Sequence, residues 1–321
     1  MGGRPGSPGV GEGLDFARAR SRIGGLAWKT PVVPLDLPGA PPVAMKLESL
    51  QRTGSFKVRG AANKLLALTP GERAGGVVAA SSGNHGRAVA EVARRLGVPA
   101  TVCVPDWVDP SKLRDIRAAA ARVVSAGSSY DEAEERATDI AAKQGKPLVH
   151  PFDDLDVIEG QGTVGLEIVD QFPGVEEVVV PLSGGGLVAG IGYALKDRGV
   201  RIVAVSARRA AVMARSIGYG RPTRFPDERT VASALSGGIG LDNRFTFAAC
   251  NEVVSSHVTV SERDIESAIR RAFRECRLVV EGGGAVGLAA LWSGRYRPRG
   301  GAVLMVTGSN IDRLLLGSLL S

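Results

Sequence analysis

The sequence predicts an α/β protein of two lobes, each built on a mostly parallel sheet flanked by helices. Two observations lead there. Short apolar runs rich in Val and Ala alternate with segments of helical periodicity, three times between residues 76 and 144. After Pro151 the alternation restarts and continues to Val306. Parallel strands need long crossover connections, and a helix is the usual one.

The elements follow in order. Residues 58–66, rich in Ala and Leu, read as the start of a helix. Residues 76–80 read as a buried strand, followed by a helix over 86–96 that stops at Gly97. Residues 100–104 form the next strand, ended by Pro105, and 111–121 a helix with Ser111 as candidate N-cap. A strand at 122–124 and a helix at 130–144 complete this stretch. The second stretch predicts a helix at 162–171, a strand at 178–180, a helix at 187–196 and a strand at 200–205. Helices at 265–273 and 285–291 and a strand at 302–306 close it. Residues 208–243 are the least regular part. Residues 1–13, rich in Gly and Pro, read as a floppy tail rather than a leader. The implied division is a tail at 1–14, a small domain at 76–151, and a large domain at 15–75 with 152–321.

The 321 residues are long enough to bury a sizeable core. Hydrophobic content of 44% with 23% charged residues fits a globular protein, and no apolar run approaches the roughly 20 residues of a membrane helix. The net charge of +7 invites a nucleic-acid reading. The basic residues are interleaved with acids, however, and aromatics at 5% leave few stacking platforms. Anionic small molecules are the more economical partners. Cys103, Cys250 and Cys276 lie far apart, which points to a reducing, cytoplasmic setting. His85, His150 and His257 show no zinc-site spacing.

Three stretches carry candidate chemistry. Lys57, in Ser55-Phe56-Lys57, sits between a Gly-Ser turn and a helix. A lysine in a partly dry pocket loses preference for its charged form, and its amine can then attack a carbonyl to form a Schiff base; the alternative is a solvated lysine. Ser183-Gly184-Gly185-Gly186-Leu187 joins a strand to a helix. Its N–H groups suit a phosphate, or it is a tight turn that binds nothing. It lacks the Gly-Lys-Ser/Thr of a P-loop and the spacing of a dinucleotide site, so a phosphate on a non-nucleotide cofactor fits better. Ser81-Ser82-Gly83-Asn84-His85-Gly86 also opens a helix, and either seats a carboxylate or merely caps the helix.

With Thr307-Gly308-Ser309-Asn310, these motifs stand in an order that resembles the threonine dehydratase and serine racemase group of fold type II pyridoxal-phosphate enzymes. The resemblance runs from about Thr30 to Asp312 and includes His150-Pro151-Phe152-Asp153-Asp154, Gly160-Gln161-Gly162-Thr163 and Glu281-Gly282-Gly283-Gly284-Ala285. It implies that Lys57 carries the cofactor pyridoxal 5'-phosphate and takes the substrate's Cα proton. Phe56 would pack beside the cofactor and Asn84 would bond its phenolic oxygen. Gly184, Gly185, Gly186 and Leu187 would hold the phosphate, and Thr307 would meet the pyridine nitrogen. Ser81, Ser82 and the Gly83, Asn84 and His85 backbone would hold the substrate carboxylate. A homodimer is expected on the same ground. The implied reaction is loss of water from a β-hydroxy amino acid, giving a 2-oxo acid and ammonia.

Several departures qualify the resemblance. Ser82 stands where dehydratases often have Ala and the racemase has Ser, so racemisation is the alternative; a non-catalytic small-anion binder is a third reading. Residues 206–213 hold no acid where the group's divalent-metal site would supply one, so no metal of that kind is expected. Arg208 or Arg209 is a candidate to replace the ion's charge, solvated arginines being the alternative. No regulatory domain is expected after the last strand. The loop Ser236-Gly237-Gly238-Ile239-Gly240-Leu241-Asp242-Asn243-Arg244-Phe245-Thr246-Phe247 resembles dehydratases of hydroxyectoine utilisation. That resemblance implies a hydroxylated diaminobutyrate derivative as substrate. Gly238 is a candidate substrate contact, and Asp242 a candidate partner for the extra nitrogen or else a turn residue.

Overall fold

Six strands form one sheet and three form another among the described residues. This computed structural model describes residues 9–108 and 110–321, without side chains for 110–112. The chain begins with α1 (Phe16–Ile23), β1 (Val32–Leu35), β2 (Val43–Leu47), α2 (Lys57–Ala67) and α3 (Pro70–Ala74). The smaller sheet follows through β3 (Val77–Ala80), α4 (Asn84–Leu96), β4 (Ala100–Val104), α5 (Pro110–Ala118), β5 (Arg122–Ser125) and α6 (Tyr130–Gln144). The chain returns through α7 (Leu155–Gln171), β6 (Glu177–Pro181), α8 (Gly186–Ala194), β7 (Arg201–Ala207) and α9 (Val212–Gly218). It ends with α10 (Thr246–Val253), β8 (Val254–Val260), α11 (Glu262–Cys276), α12 (Gly282–Trp292), β9 (Ala302–Val306) and α13 (Arg313–Leu320).

The α/β class with parallel-rich sheets is as expected. The small sheet is parallel in the order β3-β4-β5. The large one runs β1-β2-β9-β6-β7-β8 and is parallel except for edge strand β1. Strands β2, β6 and β9 are buried at every residue, as in a sheet covered on both faces. Because β2, β9, β6, β7 and β8 run the same way, the loops after them gather along one edge. Ligands of open α/β sheets bind at that edge.

Some expectations are corrected. Helix α7 starts at Leu155 rather than at 162, with Asp154 Oδ1 accepting from the N–H groups of Asp156 (2.9 Å) and Val157 (3.2 Å). Its Gly160 and Gly162 weaken the helical signal by about 1 kcal/mol each. Tight packing requires them, since a Cβ on Gly162 would lie 2.5 Å from Gly190 O. Ser111 is not an N-cap but lies inside α5, which starts at Pro110; the residue before Pro110 and the Ser111 side chain fall outside the described residues. That helix ends at Ala118, before the left-handed Ala120 (φ 58°). Strands β1, β2 and β8 go unforeseen: β2 carries a lysine, Lys46, among its apolar residues, and β8 is an edge strand with an exposed, polar middle. Residues 1–8 of the expected tail lie outside the description, while Val10 and Leu14 pack against the cluster of Ile158, Ala189, Tyr193 and Ala249. The small sheet falls within 76–151 and every strand of the large sheet outside it; the domain division itself remains a proposal.

Candidate active site

The path from β2 to α2 is tied to the exit of β9. Ser55 pairs with Gly308 in a single antiparallel bridge, Phe56 N–H donates to Thr307 O (3.1 Å), and Ser309 N–H donates to Gly54 O (2.9 Å). This places Lys57 at the first position of α2. Its Nζ donates to Pro151 O (2.6 Å) and lies 5.3 Å from the centre of the Phe56 ring. Burial draws its pKa down from 10.5 to about 8, because desolvation disfavours the ammonium.

The segment Val149 to Asp153 threads between the motifs. His85 Nε2 lies 2.8 Å from Val149 O, so that nitrogen carries the hydrogen. Burial and the nearby Lys57 push His85 down to about 3, and the ring is neutral. His150 Nδ1 accepts from the N–H groups of Phe152 (3.2 Å) and Asp153 (2.7 Å), which leaves Nε2–H facing Glu134 at 3.7 Å. Phe152 packs where a Cβ on Gly184 would strike its ring. Asp153 accepts from the N–H groups of Arg244 (2.7 Å), Phe245 (2.9 Å) and Thr246 (2.8 Å), fixing the start of α10. Sequence reasoning assigned Asp153 no role. No local signal exists, since its partners lie some 90 residues away.

The glycine loop links β6 to α8. Gly185 has φ +90°, which favours glycine, and a Cβ on it would lie 2.7 Å from Cys250 Sγ. Ser183 Oγ donates to Leu235 O (2.9 Å). Among the described residues, the N–H groups of Gly184, Gly185, Gly186 and Leu187 have no acceptor. The first turn of a helix supplies none. Four consecutive free donors with the positive end of a helix dipole form an anion cradle.

The turn Ser81 to Asn84 links β3 to α4. Gly83 N–H donates to Ser81 Oγ (3.1 Å), and Ser82 is half-buried. Asn84 is held at both ends of its amide: Nδ2 donates to Glu281 Oε1 (2.6 Å), and Oδ1 accepts from Asn310 Nδ2 (2.6 Å). Arg87 Nη1 donates to Asn310 Oδ1 (2.9 Å). Burial pushes Glu281 up to about 7, against the pull of Asn84 and Arg87. This chain joins the helix of the small sheet to the exit of β9. Thr307 is buried with Oγ1 3.5 Å from Gly283 O, a weak contact, and the buried Ser55 Oγ has no partner among the described residues. Gly238 is exposed, and a Cβ on it would meet only Gly240 N, at 3.9 Å.

A desolvated amine, four free N–H groups and two poorly partnered hydroxyls are the donor set that an aldehyde bearing a phosphate requires. Residues 23–308 match the family of pyridoxal-phosphate dependent enzymes. The chain belongs to that family. This pyridoxal-phosphate enzyme is 44% identical over 302 residues to a Sinorhizobium fredii protein provisionally named threonine dehydratase, covering 92% of this chain and 91% of that one. It is 40% identical to the L-threonine ammonia-lyase of Thermotoga maritima, covering 84% of this chain and 67% of the relative. The structure of maize serine racemase superposes with a TM-score of 0.87 at 29% identity, covering 94% of each chain. The enzyme therefore sits in the threonine dehydratase and serine racemase group. Among its described residues no helix is long and apolar enough to cross a membrane, and no group of three or more His, Cys, Asp and Glu is placed to hold a metal ion.

Proposed function

We propose that this enzyme is a lyase that removes water from a β-hydroxy amino acid of the threonine or serine type, releasing a 2-oxo acid and ammonia. The observation that carries this reading is Lys57, an amine drawn to about 8 by burial at the sheet edge that also holds the glycine cradle. The threonine ammonia-lyase relative supports the reaction type.

Pyridoxal phosphate, when bound, supplies an electron sink that acidifies the substrate's α C–H. Gly184, Gly185, Gly186 and Leu187 would hold its phosphate, Phe56 would pack beside it, Asn84 would serve its phenolic oxygen, and Thr307 would meet its ring nitrogen. A hydroxyl does not keep that nitrogen protonated as a carboxylate does, which suits loss of a β-substituent. Ser81 and the N–H groups at the start of α4 would orient the substrate carboxylate. Lys57, neutral in a large fraction near its lowered pKa, would take the Cα proton.

The finer proposal is a substrate with a second amine, such as a hydroxylated diaminobutyrate from hydroxyectoine breakdown. Two carboxylates support it. Glu134 lies 3.7 Å from His150 and is pushed up by burial, by Asp131 and by Asp242. Asp242 and Glu134 thus share one acidic neighbourhood beside His150, where a cationic tail would relieve their repulsion. A second reading, racemisation, is favoured by Ser82, half-buried beside the carboxylate turn, and by the likeness to maize serine racemase. A cytoplasmic homodimer is part of the proposal, supported by three free cysteines and by the group's resemblance.

Purified protein is expected to show a visible cofactor band, and Lys57→Ala to lose both band and turnover. A panel of β-hydroxy amino acids, including hydroxylated diaminobutyrates, should release ammonia and 2-oxo acid. Exchange of the α-hydrogen without ammonia, lost in Ser82→Ala, would establish the racemase instead. Failure to gain a band with added cofactor would sink both readings.

A further inference from the structure

We propose that Glu281 is a positioning residue for the cofactor's phenolic oxygen, acting through Asn84. Its carboxyl fixes which end of the Asn84 amide meets that oxygen. The inference rests on the reading that Asn84 serves the phenolic oxygen, and adds what orients the amide.

An asparagine amide can turn over with little change of shape, so its partners set its direction. Here each partner has a fixed character. Asn310 Oδ1 accepts from Arg87 Nη1 (2.9 Å), and a guanidinium only donates. Asn310 Nδ2 donates to Thr53 O (2.9 Å), and a carbonyl only accepts. The Asn310 amide therefore has one direction, and its Nδ2 also donates to Asn84 Oδ1 (2.6 Å). At the other end of Asn84, Nδ2 donates to Glu281 Oε1 (2.6 Å). Turned over, Asn84 would set oxygen against oxygen at Glu281 and N–H against N–H at Asn310. Both contacts would be lost where water is scarce. In the observed direction the second N–H of Asn84 Nδ2 has no acceptor among the described residues.

Glu281 is itself held in place. Its N–H donates to Gly308 O (3.0 Å), and a Cβ on Gly308 would strike its Oε1. The carboxyl is thus pinned beside the residue that follows Thr307. It is buried and makes no ion pair among the described residues. Such a group is costly to bury, and an apolar side chain would fill the space without that cost. What the carboxyl supplies is an acceptor for Asn84. A donor at the phenolic oxygen favours its anionic form, whereas a turned Asn84 would present a lone pair and oppose it.

The test is the absorbance of the holoenzyme, with cofactor affinity from equilibrium dialysis. The bound cofactor absorbs in the visible when its phenolic oxygen is anionic and in the near ultraviolet when that oxygen holds a proton. Glu281→Met, which removes the acceptor, should move intensity from the visible to the near-ultraviolet band and weaken cofactor binding about tenfold, as loss of one hydrogen bond implies. Glu281→Gln, which keeps an acceptor, should restore the wild-type spectrum. Asn84→Ala should shift the bands as Glu281→Met does, and the double variant should shift them no further. Asn310→Asp sets an acceptor against Asn84 Oδ1 and should shift the bands from the other end; it is the arm to read if Glu281→Met does not fold. Unshifted bands in Glu281→Met and Asn310→Asp, with Asn84→Ala shifted, overturn the role of Glu281 alone, as does Glu281→Gln behaving like Glu281→Met. Unshifted bands in Asn84→Ala overturn the contact on which that role rests, and a wild type without a cofactor band overturns the proposed function as well.

Discussion

At the scale of single residues, two titrations should be visible. Lys57 has its pKa drawn from 10.5 to about 8 by burial, so the neutral amine becomes abundant as pH rises through that value. The rate at which cofactor-stripped protein takes up pyridoxal phosphate should climb through about pH 8 and then level off, as followed by absorbance. A flat profile would remove Lys57 from that role. Glu281 moves the other way, from 4.5 to about 7. A raised folded pKa means that the protonated carboxyl favours the fold, and this contribution is lost as pH rises from 4.5 through 7. Glu281→Gln, which keeps an acceptor for Asn84, should lose less stability than wild type across that window. The difference should be on the order of 3 kcal/mol in denaturant titrations at the two ends. Lys57 and the Asn84 motif could be named from sequence, because short strings carry them. The titration of Glu281 could not, since it depends on burial among Asn84, Arg87 and Asn310.

At the scale of elements, the glycine cradle depends on how closely two helices approach. A Cβ on Gly190 in α8 would lie 2.5 Å from Ile158 O and 2.6 Å from Gly162 N in α7, and backbone cannot yield as a side chain does. Gly190→Ala is therefore expected to cost about 1–3 kcal/mol in urea unfolding. It should also speed cofactor loss, because α8 opens with the free N–H groups; unchanged retention would show that the cradle tolerates a shifted helix. The helix of 130–144 and the strands of 100–104 and 302–306 were legible residue for residue, each having a clean period or a clean apolar run. The sequence predicts only residues 162–171 of α7 because its glycines answer to α2 and α8, not to helix propensity.

At the scale of the whole molecule, the position of Lys57 is set by a buried charge network. Arg59, in the same helical turn, donates to both oxygens of Glu48 (2.7 and 2.8 Å) and both of Glu167 (2.7 and 2.8 Å). Lys46 Nζ, fully buried in β2, also donates to Glu167 (2.6 Å). The network thus clamps α2 between α7 and the large sheet. Removing one member leaves buried charge uncompensated, so Arg59→Met should cost about 3–5 kcal/mol by denaturant unfolding. A variant as stable as wild type would show that the clamp is dispensable.

The sequence by itself determined the α/β class, the order of the motifs and the chemistry available at Lys57. These are local properties: periodicity along an element, and short strings whose backbone donors are set by glycine and serine. The tertiary structure decided which strings meet. It brought Val149 to Asp153 against His85, Lys57 and the glycine loop, and set Asn84 on Glu281 across 197 residues. Such pairings depend on strand order and on close helix contacts, which no local period encodes.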